Sequence, residues 1–239
     1  MSETAQLEGA VWIGAKVLAA DIPVSDVAAR ALLPPELELE DPTTATIFVA
    51  DYPETTFGSV YREAAVILHA KDEKGHLRHC PWMVVDDDTA LILGRELLGF
   101  PKKMADISLK EEQGRIIGVV TRKGAEVIRI EGELGPIEPS PKPLFAHRMV
   151  NLFGSIVGGM KLLDIPAAKE LIHTARSVSG KVLLGTSDRD QLGALGTSTE
   201  CNAIYMTMDF GGSGAMELPE VSKDVDPTFA LGRFFTRAM

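Results

Sequence analysis

Short apolar stretches separated by turn residues set the pattern of hydrophobic and polar positions along the chain. Runs rich in apolar and β-branched residues predict strands at 9–19, 44–51 and 59–70, and a further extended stretch ends at Val85. The sequence KDEKG, at 71–75, has the composition of a turn between the strand at 59–70 and the extended stretch that ends at Val85. The first part of the chain is therefore predicted to be mostly extended.

Helical patterns are few and short. Ser25 is suited to cap a helix that runs to Leu33, because Pro34 and Pro35 follow and prevent its continuation. A further helix is predicted from Asp164 to His173. Neither segment is long enough to dominate the fold.

One more helix is predicted in the middle of the chain, at 89–98. An acidic trio, Asp86–Asp88, precedes it, and we interpret the last of the three as its N-cap. Gly99 suits the C-terminal cap, and Pro101 stops the helix. This helix leads directly into a pair of lysines.

Tight turns join the strands that follow. Turns at 113–114 and 123–124 divide the stretch from Met104 to Leu134 into three strands, which is typical of antiparallel hairpins. A proline-rich loop is predicted at 135–143, and further strands near 144–152, 177–186 and 200–210. The predicted fold class is α+β, mainly antiparallel β, with a closed β-barrel-like core, flanking strands and a few short helices. We expect one domain over 1–239.

Composition excludes several classes of protein. The formal net charge of −10 argues against nucleic-acid binding, and no apolar run is long enough to span a membrane. The polar start MSETAQLEG lacks the order of a secretory signal, and two cysteines make no disulfide framework. We therefore expect a cytoplasmic protein with a small-molecule partner.

Metal ligation has little support in the sequence. His76, His79 and Cys80 are close together, but histidines three positions apart on a strand point to opposite faces. No second group of ligands accompanies them. We predict no metal site.

The segment GRELLGFPKKMA, from Gly94 to Ala105, holds the strongest chemical signal. Lys102 and Lys103 follow an apolar run and Pro101, and apolar residues continue after them. If the chain is extended there, successive side chains point to opposite faces, so the two lysines cannot share one environment. One of them is then expected in the interior.

A buried lysine amine has a chemical use. Lysine ordinarily has a pKa of about 10.4, and burial lowers it because the charged form loses its hydration. A drop of about four units corresponds to about 5 kcal/mol of differential solvation. An uncharged amine attacks a ketone, and the resulting iminium accepts electrons from a neighbouring bond that breaks.

The segment from Gly75 to Met104 follows the pattern G-x(18)-G-R-E-L-x-G-F-P-K-K-M, which strongly resembles the acetoacetate decarboxylase family. LLPPELEL at 32–39, YREAAVILHA at 61–70 and the SGKVLL…DQLGAL region at 179–195 resemble the family more loosely. The resemblance implies a β-barrel-centred fold, a homo-oligomer, and no metal or organic cofactor. The family is itself a standard case of an activated lysine nucleophile.

The resemblance also implies roles for particular residues. Lys102 matches the Schiff-base lysine, Lys103 its neighbour in the site, and Glu63 an active-site glutamate that orients substrate or moves protons. The apolar and aromatic residues expected to contact substrate are Phe100, Met104, Phe48 and Tyr61. Tyr52, Tyr61 and Tyr205 are candidate proton donors.

Two departures from the family keep the reaction open. Phe48 stands where the family carries a second active-site glutamate, and no arginine occurs in the first strand, where Lys16 is the only cation. Decarboxylation of an acetoacetate-like 3-oxo acid is the default prediction. Aldolase–dehydratase or retro-aldol chemistry through the same lysine is the first alternative, and a non-catalytic small-molecule-binding barrel is the second.

Overall fold

The structure, a computed structural model, describes residues 7–155, 157–211 and 219–238, without the side chains of Ala10 and of residues 234–238. The polar start of the chain, 1–6, lies outside the described residues. The strands are β1 (Ala10–Pro23), β2 (Glu38–Leu39), β3 (Thr44–Tyr52), β4 (Glu54–Thr55), β5 (Tyr61–Asp72), β6 (Gly75–Val85), β7 (Lys102–Met104), β8 (Asp106–Glu112), β9 (Arg115–Arg122), β10 (Ala125–Ile137), β11 (Met149–Ser155), β12 (Gly159–Ile165), β13 (Lys169–Leu184), β14 (Ser198–Gly211) and β15 (Glu220–Asp224). The helices are α1 (Asp26–Leu32), α2 (Asp88–Leu98), a 3₁₀ turn (Leu192–Leu195) and α3 (Pro227–Ala238).

All the strands belong to one large, curved sheet. Its main path runs β15-β12-β11-β6-β5-β3-β1-β14-β13-β10-β9-β8, with β2 beside β5, β4 beside β1 and β7 beside β6. The described pairings are antiparallel except β6 with β7 and β6 with β11. The fold class predicted from sequence is thus confirmed as α+β and mainly antiparallel.

The predicted closure of the barrel needs correction. In the described parts of the chain, no ladder joins β8 back to β15, so the sheet stays open. It nevertheless folds over itself, because a Cβ built on Gly118 of β9 would lie 2.9 Å from the Val49 Cβ on β3. The interior is therefore enclosed by curvature and packing rather than by a complete ring of hydrogen bonds.

Local signals for caps and turns are largely confirmed. The Ser25 hydroxyl accepts a hydrogen bond from the first turn of α1, and Gly99 ends α2 in the left-handed conformation, with φ of 63°. The N-cap of α2 is Asp87 rather than the predicted Asp88, because the Asp87 carboxylate accepts from Ala90 N at 2.8 Å. Turns at 113–114 and 123–124 have the positive φ angles of two-residue hairpins.

Two predictions in the second half of the chain are wrong or incomplete, and one helix was missed. Residues 164–173 do not form a helix: β12 ends at Ile165, and Lys169 begins the long strand β13, which pairs with β14 along most of its length. The pairing of β13 with β14 outweighs the helix propensity of this stretch. The strand predicted at 144–152 begins only at Met149, and α3 was not predicted.

Within the described residues, no helix combines the length and apolar character needed to cross a membrane.

The two faces of the sheet bury separate sets of side chains. Leu18, Val49 and Val84 belong to the main core, and their chain neighbours Val17, Phe48 and Val85 belong to a second, smaller cluster on the opposite face. Strand alternation accounts for this division. The two lysines of β7 lie where both faces are covered.

Candidate active site around Lys102

The end of α2 and the short strand β7 fix the backbone of the lysine pair. Gly94 O accepts hydrogen bonds from the N–H groups of both Gly99 and Phe100, which closes the last turn of α2. After Pro101 the chain runs parallel to β6, with Lys102 beside Met83. Extended backbone there sends consecutive side chains to opposite faces, as predicted.

Lys102 turns its amine into the smaller cluster. Its side chain is 6% exposed, and Nζ lies 2.7 Å from Glu63 Oε2. The rings of Tyr61 and Phe100 lie 5.3 Å and 5.9 Å from Nζ. The structure thus brings together four residues predicted from sequence, an amine, a carboxylate and two rings. That this amine is the nucleophile stays a prediction.

Gly94, on α2, makes room for this amine. A Cβ built on Gly94 would lie 2.5 Å from Lys102 Cε and 3.0 Å from Nζ. Such distances are shorter than van der Waals contact, so any larger residue at Gly94 would displace the lysine side chain. The first glycine of GRELLGFPKK therefore has a role in the site that sequence analysis did not assign.

Aromatic rings on the face of the Lys102 amine form what we call the aromatic cluster, in which Tyr61 lies next to Lys102 and Tyr52 next to Glu63. Its rings contact one another at centroid distances of 4.6 to 6.3 Å. The members are Trp12, Phe48, Tyr52, Phe57, Tyr61, Phe145 and Phe210. Their packing makes the surroundings of Lys102 apolar, apart from two phenol groups and one indole N–H.

The two tyrosines of the cluster lie close to Glu63. Tyr52 OH donates to Glu63 Oε1 at 3.5 Å, and Tyr61 OH accepts from Trp12 Nε1 at 2.9 Å. Burial, together with the negative charge of Glu63, raises the pKa of both phenols far above their usual range. Both therefore remain protonated at neutral pH and keep a proton to donate.

Other predicted residues lie elsewhere. Phe48 is fully buried in the aromatic cluster, whereas Met104, on the same face of β7 as Lys102, is 47% exposed. Tyr205 packs against the main core on the opposite face of the sheet. Lys16 is exposed, while its neighbour Val17 lies on the face of the cluster. The cation of the first strand therefore does not replace the missing arginine.

Lys103 occupies a second buried polar site on the main-core face. Its Nζ lies 3.6 Å from Asp190 Oδ1, and the Asp190 side chain is fully enclosed. Asp190 also accepts hydrogen bonds from Trp82 Nε1 and Arg122, each at 2.7 Å. Arg233 of α3 is buried nearby and donates to Pro81 O at 2.7 Å. Lys103 thus faces away from the Lys102 amine.

Burial controls the protonation of this second site. Burial, together with the charges of Arg122 and Arg233, lowers the pKa of Lys103 to about 8, although Asp190 opposes this shift. Burial alone would raise the pKa of Asp190, but the hydrogen bonds from Trp82 and Arg122 and the charge of Lys103 hold it below its usual range. Lys103 is therefore a buried amine beside Asp190, and its predicted part in the active site stays a prediction.

Cations are unevenly divided between the two faces. The buried lysines and arginines with described side chains are Lys102, Lys103, Arg122 and Arg233. Lys103 and Arg122 contact Asp190, and Arg233 lies near Lys103, so on the other face Lys102 is the only buried cation among the described side chains. Arg95 is bonded to the backbone there, since its guanidinium donates to Lys102 O at 3.0 Å.

The potential metal ligands of the described ranges are scattered over the fold. In the described ranges, no group of three or more histidine, cysteine, aspartate or glutamate residues is placed to hold a metal ion. His76 is exposed beside Glu40, while His79 is buried with Nδ1 at 2.7 Å from Val150 O. The two histidines therefore have separate surroundings.

Several residues of the site escaped sequence analysis. Trp12 reaches the cluster because a bulge in β1 near Gly14, where φ is 62°, shifts the strand alternation between Trp12 and Ala15. Phe145 and Phe210 come from distant parts of the chain. Of these, only the glycine within an otherwise regular strand offered a signal, since glycine in a strand often marks a bulge.

Comparisons with solved structures show the fold. The crystal structure of acetoacetate decarboxylase from Legionella pneumophila subsp. pneumophila str. Philadelphia 1 superposes with a TM-score of 0.75 at 17% identity, covering 94% of this chain and 93% of that one. The enduracididine biosynthesis enzyme MppR, solved with the condensation product of pyruvate and imidazole 4-carboxaldehyde, superposes with a TM-score of 0.71 at 20% identity, covering 87% and 88%.

Sequence comparisons agree. Acetoacetate decarboxylase 2 of Mesorhizobium japonicum is 35% identical over 92 residues, which span 38% of this chain and 34% of that protein's length. A family model described as acetoacetate decarboxylase (ADC) matches residues 3–181. Because that match covers most of the sequence, the chain belongs to the acetoacetate decarboxylase family.

Proposed function

We propose that this protein is a carbon–carbon lyase in which Lys102 forms a Schiff base with the carbonyl group of a ketone substrate. The observation that carries the proposal is the enclosed Lys102 amine, 2.7 Å from the Glu63 carboxylate and surrounded by aromatic rings. A nucleophilic lysine needs such an apolar surrounding and a group that exchanges protons with it. Membership of the family supports the same chemistry.

The first stage is formation of the imine. Glu63 takes one proton from the Lys102 ammonium, and the free amine attacks the carbonyl carbon. The carbinolamine then loses its hydroxyl group as water, with a proton supplied by the Glu63 carboxylic acid. An iminium joined to Lys102 results, and Glu63 is again a carboxylate.

The second stage breaks a carbon–carbon bond. For a β-hydroxyketone, Glu63 removes the hydroxyl proton while the bond between the α and β carbons breaks, and its electron pair moves into the iminium to give an enamine. The β carbon leaves as an aldehyde or ketone. The enamine carbon then takes back the proton from Glu63, and water hydrolyses the new iminium. Aldol addition is the reverse of this step. Dehydration of the addition product is a separate elimination, in which Glu63 removes a proton from the α carbon next to the iminium and then gives that proton to the β hydroxyl group, which leaves as water.

Decarboxylation of a 3-oxo acid remains the default drawn from sequence, but one observation favours the aldol alternative. A carboxylate substrate needs a cation to bind it in an apolar site, and Lys102 is the only buried cation on this face among the described side chains. Aldol chemistry needs only the amine and a base. MppR, which has the same fold, was solved with a condensation product of pyruvate and an aldehyde, so this fold accommodates condensation chemistry, there with a substrate that carries a carboxylate.

Reductive trapping tests the proposal. The full-length protein is incubated with acetone, pyruvate or acetoacetate, and borohydride is added, which delivers hydride to the iminium and leaves a stable secondary amine. Peptide mass spectrometry then locates the adduct. We expect it on Lys102, unchanged in Lys110→Arg, an exposed lysine of β8, and abolished in Lys102→Arg.

Two results would contradict the proposal. One is the absence of an adduct with every carbonyl compound, and the other is an adduct on a different lysine. Carbon dioxide release from acetoacetate would favour decarboxylation over the aldol alternative. Ligand-induced thermal stabilisation without adduct or turnover would instead support the non-catalytic binding barrel.

A further inference from the structure

Phe145 differs from most rings of the aromatic cluster in its origin. It lies in the connection 138–148 between β10 and β11, whereas Phe48 and Phe210 lie on central strands. Its ring reaches inward to 4.6 Å from the Phe210 ring and 5.5 Å from the Phe48 ring. Phe145 itself belongs to no strand, so its side chain can be changed without breaking a strand pairing.

The backbone around Phe145 is held by a dedicated carboxylate. Glu170, near the start of β13, accepts a hydrogen bond from Leu144 N at 3.0 Å and another from Phe145 N. Phe145 O in turn accepts from Ala168 N at 3.3 Å. In the described part of the chain Glu170 makes no ion pair, so its charge is used to hold these backbone N–H groups.

The site around Lys102 is sealed in this arrangement. Lys102 and Glu63 are 6% and 7% exposed. A surface groove of about 430 Å³ does exist, but it is lined by residues such as Phe153 and Lys161 and by neither member of the pair. A substrate must therefore displace part of the covering before it reaches the amine.

The chemistry of the covered space limits what can enter. Phe145 contacts Phe48, the residue at the position of the family's second glutamate, so this end of the site is apolar. A substrate carboxylate there would meet no described buried cation except Lys102 and would face Glu63 close to it. An uncharged substituent meets no such penalty.

We propose that Phe145, positioned by Glu170, determines the specificity of the Lys102 site: it admits uncharged carbonyl compounds with a small apolar substituent and excludes anionic or bulky ones. This inference rests on the proposed Schiff-base function and deepens it by naming the substrate class. Phe145 is the specificity residue, and Glu170 acts through it as a positioning residue.

Rates of reductive trapping at Lys102 test the inference. The probes are 2-pentanone, levulinate, in which a carboxylate replaces the last methyl group, and 4-phenylbutan-2-one, which is bulkier. We expect wild-type protein to trap 2-pentanone at least about tenfold faster than levulinate, because the carboxylate is desolvated without a partner. Phe145→Ala should raise the rate with 4-phenylbutan-2-one about tenfold and change the rate with 2-pentanone little.

Two further variants separate the roles of the residues. Phe145→Arg should shift the ratio toward levulinate, since it supplies a cation. Glu170→Gln should act in the direction of Phe145→Ala, because an amide cannot accept hydrogen bonds with both of its terminal atoms. The matched controls are Glu138→Gln, a partly exposed carboxylate of the same connection, and Phe153→Ala, a ring outside the cluster; both should leave the ratios unchanged.

The outcomes distinguish this inference from the proposed function. Equal trapping of levulinate and 2-pentanone at Lys102 in wild-type protein, or unchanged size discrimination in Phe145→Ala, would overturn the specificity role and leave the Schiff base intact. Failure of every ketone to react at Lys102 would overturn both. Should Phe145→Ala not fold, Phe145→Leu, which preserves most of the apolar packing, gives the same comparison.

Discussion

A substitution at Gly94 is expected to change the reactivity of Lys102 without lowering the stability of the protein. In the middle of a helix, alanine is more favourable than glycine by about 1 kcal/mol. The added Cβ, however, would overlap the end of the Lys102 side chain, which is flexible and can move away. We therefore expect Gly94→Ala to fold with an unchanged or slightly higher melting temperature while its rate of adduct formation falls at least about tenfold.

The matched control for this prediction is Gly232→Ala, in α3. A Cβ there would meet no described atom within 4 Å, so the expected effect is a gain in helix propensity. Thermal unfolding and borohydride trapping are measured on both variants. An adduct rate in Gly94→Ala equal to that in Gly232→Ala would show that Lys102 does not need the space above Gly94.

Lys103 should make the stability of the protein depend on pH. Its pKa of about 8 in the folded protein lies below the ordinary value of 10.5, so between these values the unfolded chain binds more protons. The free energy of unfolding therefore rises with pH across this window, by up to about 3 kcal/mol, and the contribution is lost as pH falls toward 8.

Lys103→Met removes this pH-dependent contribution to the free energy of unfolding, while Asp190 keeps its hydrogen bonds from Trp82 and Arg122. Urea unfolding at a series of pH values from about 7.5 to 10 should show a smaller rise for Lys103→Met than for wild type. Lys110→Met, at an exposed position, should follow the wild-type curve. Parallel curves for all three proteins would mean that Lys103 titrates in the folded state as it does in the unfolded chain.

At the scale of elements, the features that depend on neighbouring residues were predictable. The cap at Ser25, the end of α2 at Gly99 and the turns at 113–114 and 123–124 each follow from a few adjacent side chains and their backbone preferences. Alternation along β7 likewise predicted that the two lysines face apart. These signals are local, and the structure retains them.

Features that depend on distant partners were not predictable from one sequence. The stretch 164–173 contains good helix formers, yet its second half lies in β13, because β14 offers a long partner strand. The carboxylate beside Lys103 comes from Asp190, far along the chain, and no local pattern connects them. The order of strands in the sheet determines such pairs, and no single segment of the sequence specifies that order.

At the scale of the molecule, the site depends on sheet curvature. Glu63 and Lys102 lie on β5 and β7, on either side of β6, while the rings that cover them come from β1, β3, β14 and the connection 138–148. Family resemblance predicted the amine and the carboxylate. It did not predict the aromatic covering, because that covering forms only when the sheet folds over.

The predicted homo-oligomer is a further property of the whole molecule. Large apolar side chains face solvent in the described single chain, among them Val157 at 98%, Val27 at 83% and Val60 at 69% exposed. In the described parts of the sheet, β8 pairs on one edge alone, with β9. Exposed apolar groups and open strand edges are commonly covered by partner subunits.

We therefore expect light scattering to give a multiple of the 25.7 kDa chain mass, with a melting temperature that rises with protein concentration. A single-chain mass together with a concentration-independent melting temperature would contradict it, and the Lys102 site would then function within one subunit.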